Sequence, residues 1–370
     1  MKVQVAHSTL AAALTWSAAQ LDPKPTIPAR AGLLLEADGD TLTVSGVDQR
    51  VSTSSRLDGA VIEPGRIVIP GKLAAQVVAT YRTDLVDIAV DGQRVTLQAD
   101  RDKFLLTVLP LADYPAVAQR PEADGTVDAA QFTEAVMQAV VATDTTVEAE
   151  PWRGGIQLTT DGDTLTVWAT DRYRMGERTI PWKAANPGTQ AGVLVPARAL
   201  ADAVRGMEAS GDLWLNLTGK TAGMGDANRY TTLARIDEYG RKDPHQFIPK
   251  AFTTEASVEV APLVAAVKRA CLVATDKKPK VLIGLGTDAI SVRALGEDTG
   301  AAAMDVVDGQ HIDGPPMQVA FQPANLLGGL QAAGTSTVRI GFTGPAKPAM
   351  FHAVGDDTDY RYLVMPVRLA

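Results

Sequence analysis

Few residues in this chain are arranged for covalent chemistry. Its four histidines, His7, His245, His311 and His352, lie far apart and share no metal-ligand spacing. No GxSxG, Walker or HExxH pattern occurs. Paired carboxylates such as Asp38 and Asp40 fall in turn-forming sequence, where acidic residues are routine. The one cysteine, Cys271, lies inside an apolar helical pattern without a neighbouring base, and it excludes an internal disulfide framework or a cysteine-rich zinc site. The expectation is therefore a non-enzyme with neither metal nor cofactor. Two segments stand out for their mixture of side-chain types. ATDRYRM (169–175) combines aromatic, guanidinium and thioether groups, and YRYLVMPVRLA (360–370) carries Met365, Pro366 and Arg368. Taken alone, the first reads as a strand and a turn in which Asp171 bonds local backbone, and the second as an edge strand marked by its proline.

The elements that position these segments recur. DGDTLTV stands at 38–44 and again at 161–167, a spacing close to one third of the 370 residues, and a looser copy, TDAISVRAL, stands at 287–295. Self-similarity at a fixed period governs how the whole fold is built. Leu42 and Val44, Leu165 and Val167, and Ile290 and Val292 alternate with polar residues, which predicts half-buried strands. The Asp-Gly pairs ahead of the first two predict hairpin turns. Further on in each repeat, VIPGKLAAQVVATY (68–81), LVPARALADAVRGM (194–207) and AFQPANLLGGLQAA (320–333) place Pro70, Pro196 and Pro323 near predicted helix starts. Another helix is expected to open each third, over 8–21, 128–141 and 260–273. Each third thus holds two amphipathic helices among short strands, with breaks near QRPEADG (119–125) and IPKAFTTE (248–255). The fold class is α+β, with expected domains at 1–120, 121–249 and 250–370.

Hydrophobic content of 46% with 21% charge describes a soluble globular chain, and no apolar run approaches the roughly 20 residues of a membrane helix. The opening MKVQVAHSTL has no apolar core of the secretory-signal kind, so a cytoplasmic location is expected. The net charge of −8 argues against coating nucleic acid through bulk charge, but leaves room for one basic internal surface.

ATDRYRM, the closing VMPVRL, FLLTVLPLADYP (104–115) and KPTIP (24–28) together resemble the bacterial DNA sliding clamp, the β subunit of DNA polymerase III. The resemblance spans the chain. It implies a head-to-tail homodimeric ring of six similar domains, with helices lining a pore around double-stranded DNA. Such a ring works as a processivity factor that binds without sequence preference. The basic residues on the recurring helices, Lys72, Arg82, Arg198, Arg205, Lys268 and Arg269, would then make exchangeable phosphate contacts. Lys24 matches a DNA-touching position of the family. The opening helix, 8–21, carries no charge.

The resemblance also implies a groove that captures short linear motifs of the replicative polymerase, the clamp loader and repair proteins. Its walls would be Thr170, Arg172, Tyr173, Arg174 and Met175 with Val364, Met365, Pro366, Val367, Arg368 and Leu369. Met and Pro form an adaptable apolar floor for leucine and phenylalanine, and Arg174 and Arg368 meet polar groups at the rim. The chain departs from the family pattern at Arg153, Gly154 and Gly155, where an arginine would narrow or charge one subsite. It also departs over 236–249, where Pro244 is the groove candidate. An altered ligand preference follows, and with it the alternative of a secondary or phage-encoded clamp. For ring closure the resemblance pairs Phe104 and Leu106 with Cys271 and Leu272 of the second chain.

Overall fold

A computed structural model describes residues 1–22, 25–207, 210–236, 243–274, 277, 279–287, 289–295, 300–355 and 359–368. Two expected hairpins form as the turn chemistry requires. Gly32–Asp38 pairs with Thr41–Val47, and Gly155–Asp161 with Thr164–Thr170, each through a two-residue loop whose first residue is glycine. Gly39 (φ 56°) and Gly162 (φ 54°) occupy the left-handed region that a side chain resists. The third copy forms the strand Ala289–Leu295.

Six helices punctuate the strands: α1 (His7–Ala19), α2 (Gly71–Ala79), α3 (Ala129–Val140), α4 (Ala197–Arg205), α5 (Val260–Cys271) and α6 (Pro323–Ala332). The prolines act as start signals in two ways. Pro70 and Pro196 end a strand and cap α2 and α4, whereas Pro323 lies inside the first turn of α6.

The chain divides into two compact units, and the middle third contributes to both. Unit 1 joins 1–130 with 183–235. Its strands form one antiparallel path: Lys183–Ala184, Gly125–Asp128, Asp212–Asn216, Thr221–Gly225, Arg229–Ala234, Val51–Glu63, Lys2–Ala6, Leu85–Asp91, Arg94–Ala99 and Asp102–Thr107. Unit 2 joins 131–182 with 236–370. Its path runs Gly155–Asp161, Thr164–Thr170, Arg174–Pro181, Arg361–Val364, Ala349–Ala353, Thr337–Phe342, Thr254–Glu259, Ala302–Asp313, Ala289–Leu295, Val281–Leu285 and Met317–Phe321. In each unit one strand pair stitches the middle third to its neighbour. Arg229–Ala234 pairs with Val51–Glu63, and Arg174–Pro181 with Arg361–Val364.

The core of unit 1 places Leu10 and Leu14 of α1 and Val78 of α2 against Leu33, Leu35, Leu42, Val44 and Ile69. Each fully buried aliphatic side chain stabilises by roughly 1.5–3 kcal/mol. α1 departs from the amphipathic expectation. It packs on α2 and also on α4, where Trp16 donates its indole N–H to the Ala203 carbonyl at 3.1 Å. Gly206 lies so close that a Cβ there would overlap the Trp16 ring. These contacts bury Leu10, Ala13, Leu14, Trp16, Ser17 and Ala18, and the exposed positions Ser8, Thr9, Ala12, Thr15 and Ala19 are small or hydroxyl-bearing. No described helix is long and apolar enough to cross a membrane.

Candidate functional site

The site is built around one tight turn in unit 2. The strand Thr164–Thr170 ends, the chain reverses, and Arg174 opens the next strand. Asp171 fixes the reversal: its Oδ1 accepts from the Tyr173 and Arg174 amides at 2.9 and 3.0 Å, and its Oδ2 from Arg174 Nε at 2.9 Å. Thr170 Oγ1 accepts from the Arg172 amide and donates to the Arg174 carbonyl. Arg172 takes a left-handed φ of 79°, a strained conformation for a residue with a Cβ. These bonds hold Tyr173 out into solvent, 59% exposed.

The C-terminal strand lies alongside. Arg361–Val364 pairs with Arg174–Glu177, after which the Met365 amide donates to the Tyr173 carbonyl at 2.7 Å. Val367 donates to the Ala320 carbonyl at 2.8 Å, so the tail is bonded on both sides of Pro366, which has no N–H to give. Met365 is 37% exposed, Pro366 and Val367 are half-buried, and Arg368 is exposed. The aromatic, thioether and proline groups that suit an apolar ligand therefore meet on one surface.

Several expected groove residues take other places. Met175 and Val364 are buried, and Thr170 nearly so, in strands covered on both faces here. Met175 packs with Trp168, Met350 and Leu363 and underlies the groove without lining it. Arg174 is committed internally to Asp171 and to the Thr143 carbonyl at 3.2 Å, which leaves Arg368 as the exposed rim cation. Arg153 adds no open charge to the site. It is buried, ion-paired to Asp144 at 2.8 Å and Glu150 at 3.6 Å, and stands 5.9 Å over the Tyr173 ring. Glu150 also holds Arg172, whose guanidinium lies over Trp152. The two arginines and two rings interleave and stiffen the wall beside Tyr173. Leu369 lies outside the described residues, as does the side chain of Pro244.

A second polar group beside this wall escaped the sequence reading. Glu177 is buried on the strand Arg174–Pro181, and its neighbours across the sheet are Trp168 and Arg361. One carboxylate oxygen lies 2.6 Å from Arg361 Nη2, and the other meets His245 Nε2. His245 turns its Nδ1 to Asp243 at 2.6 Å and sets its ring edge-on to Trp168. The bond from Glu177, aided by Asp243, holds the imidazole above its usual range despite partial burial. The residues that meet here come from three stretches, 168–177, 243–245 and Arg361, so linear spacing gives no signal. A glutamate at an inward-facing strand position is the one local hint.

The candidate phosphate-binding residues Lys72, Arg82, Arg198, Arg205, Lys268 and Arg269 are all exposed. Lys72 and Arg198 are each the second residue of a helix, in matching positions of two repeats. Arg198 and Arg205 flank Asp202, and Arg269 is bound by Asp305. Lys24 lies outside the described residues. Among the interface candidates, Phe104 is exposed at the edge of its sheet, Leu272 is exposed after α5, and Cys271 is half-buried. Leu106 is a correction: it is 7% exposed and belongs to the unit 1 core, while its neighbour Leu105 is 55% exposed. The apolar edge is thus Phe104 and Leu105.

Comparison with known proteins agrees across the chain. The sequence matches the profile of the DNA polymerase III beta subunit N-terminal domain over 1–118, the central domain over 126–237 and the C-terminal domain over 245–368. A beta sliding clamp of Streptomyces coelicolor is 36% identical, with 100% of both chains covered. The beta sliding clamp homolog GriR of Streptomyces muensis is 34% identical, covering 100% of this chain and 99% of its own. Among solved structures, a Pseudomonas aeruginosa sliding clamp bound to griselimycin superposes with a TM-score of 0.90 at 23% identity, and a Bacillus subtilis clamp with 0.90 at 20%, both covering 100% of each chain. At such identities these two structures speak for the fold alone.

Proposed function

The chain belongs to the DNA polymerase III beta subunit family, and on that premise we propose that two copies join head to tail into a ring threaded by duplex DNA. The family is a non-catalytic processivity factor with a three-domain clamp fold, and that role is this chain's. The domains are read as 1–120, 121–249 and 250–370.

One observation carries the ring. The last strand of each repeat adds to the long strand of another: Arg229–Ala234 to Val51–Glu63, and Arg361–Val364 to Arg174–Pro181. The third member of that series is missing within one chain. Among the described residues Asp102–Thr107 pairs on one side only, and residues 302–308 pair only with Ala289–Leu295. Both edges expose apolar side chains, Phe104 and Leu105 on one, Met304 and Val306 on the other, with Leu272 nearby in sequence to α5. A free apolar edge invites pairing. Supplied by a second copy, the missing pair forms twice, and the rotation closes.

Such a ring needs no base contacts, since threading alone retains it. Exposed basic helices supply screened phosphate contacts. The surface of Tyr173, Met365, Pro366, Val367 and Arg368 takes leucine- and phenylalanine-bearing motifs of polymerase, clamp loader and repair proteins in the cytoplasm. A second reading, a secondary or phage-encoded clamp with altered groove preference, is favoured by the Arg153–Glu150–Arg172 wall. Complementation of clamp-depleted cells separates the two. The central test is loading onto nicked circular DNA followed by linearisation. A threaded ring is released once ends exist; retention on linear DNA refutes the ring.

A further inference from the structure

Among the described residues, each arginine on a candidate DNA-facing helix has an aspartate beside it, hydrogen-bonded to Arg205 and Arg269 and at ion-pair range from the largely exposed Arg198. On α4, Asp202 Oδ1 binds Arg205 Nη1 at 2.7 Å, and its Oδ2 lies 3.9 Å from Arg198 Nε. At the end of α5, Asp305 Oδ2 takes Arg269 Nε at 2.6 Å and Nη2 at 2.5 Å. The lysines Lys72 and Lys268 have no such partner among the described residues. Arg198 and Asp202 also line a cleft of about 480 Å³ with Lys72, Arg50, Asp22 and Asp48, three cations facing three carboxylates.

A guanidinium accepts carboxylate and phosphate through the same fork of N–H donors. An aspartate bonded to it therefore competes with any phosphate that arrives. When a phosphate does take the arginine, the displaced carboxylate stays within a few ångströms, as a like charge, and shortens the contact. We propose that Asp202 is a release residue. It keeps Arg198 and Arg205 from retaining a phosphate, and so sets how loosely this surface holds the DNA backbone. The inference rests on the reading that α2 and α4 face the duplex.

A plain structural role, a helix-surface ion pair, predicts no effect on DNA. The two are separated with the full-length dimer and a short fluorescein-labelled duplex, by anisotropy over a salt series. Asp202→Asn is expected to tighten binding about two- to fivefold at low salt, with a steeper fall of affinity as salt rises. Asp202→Glu, which restores the carboxylate, is expected to return towards the parent, and Asp202→Ser to repeat the tightening if the asparagine variant folds poorly. Arg198→Gln and Lys72→Gln are expected to weaken binding. If Asp202→Asn and Asp202→Ser leave affinity and salt slope unchanged while Arg198→Gln weakens binding, the release role is overturned and the duplex-facing reading stands. If Arg198→Gln and Lys72→Gln also change nothing, that reading falls and the release role with it.

Discussion

Replacing Glu177 by glutamine keeps the shape of a buried side chain and removes its charge. The Glu177 side chain is 2% exposed and serves two cations, Arg361 at 2.6 Å and the His245 ring. Both nitrogens of that ring face carboxylates, Glu177 on one side and Asp243 on the other. An imidazole donates from both nitrogens only when it is protonated, so this geometry requires the cation. Glutamine still accepts one hydrogen bond but offers no compensating charge. The bond to His245, a hydrogen bond between charged groups, contributes about 1.5–3 kcal/mol, and the Arg361 contact is an ion pair. Side chains of Arg361 and His245 are 33% and 37% exposed, so water recovers part of that loss. The net expectation is a loss of about 2 kcal/mol near pH 6.

The pH dependence follows from the direction of the His245 shift. Its folded-state pKa is raised, so the contribution is complete below the unfolded value of about 6.5 and is lost as pH rises through the folded value. The parent therefore loses stability on this account as the pH climbs, and Glu177→Gln has less to lose. Urea unfolding followed by tryptophan fluorescence, at about pH 6 and about pH 9, measures both gaps. A gap that narrows with rising pH supports the argument. A gap of the same size at both ends, or none at the lower, refutes it.

Three further outcomes are expected. Gly206→Ala drives a methyl into the Trp16 indole and is expected to cost about 2 kcal/mol or more in thermal or urea unfolding, because the indole is held by its bond to Ala203. Leu105→Asp places a charge on the exposed apolar edge strand and is expected to shift the sedimentation profile from dimer to monomer without lowering monomer stability. Met365→Ala removes the exposed thioether beside Tyr173 and is expected to weaken a leucine/phenylalanine motif peptide by about tenfold in calorimetry; equal affinities would remove Met365 from the groove.

Much of the architecture was legible because local and global preferences coincide. The Asp-Gly turns at 38–39 and 161–162 and the alternation that follows could form little but hairpins, and both do. Prolines 70, 196 and 323 lay at helix starts because strand exit and helix entry share their φ. Legibility fails where a partner from elsewhere decides the outcome. The choice between Leu105 and Leu106 depends on which face of an edge strand meets the core, and both residues are leucine. Met175 and Val364 are apolar in an apolar setting, so composition cannot tell a floor from what lies under it. Arg153 looked like an exposed charge until Asp144 and Glu150 closed on it. The Glu177 group joins residues from three distant stretches, and pattern reading along the chain does not connect them.

The triplication also shows where selection for one pore differs from selection for three equal domains. The backbone pattern repeats, but the charges do not. α1, α3 and α6 carry neither lysine nor arginine, α2 carries Lys72, α4 carries Arg198 and Arg205, and α5 carries Lys268 and Arg269. On α1, Trp16 and its neighbours are buried against α2 and α4, and the exposed positions are filled by Ser8, Thr9, Ala12, Thr15 and Ala19. On α6, a Cβ at Gly329 would strike the buried Tyr362 ring, so the helix sits tight on its sheet. Cations are thus confined to three of the six helices. On two of those three helices aspartates already engage the arginines. A surface that must carry positive charge, yet let phosphates go, is built more readily from opposed charges than from weak ones, because each arginine has somewhere else to return.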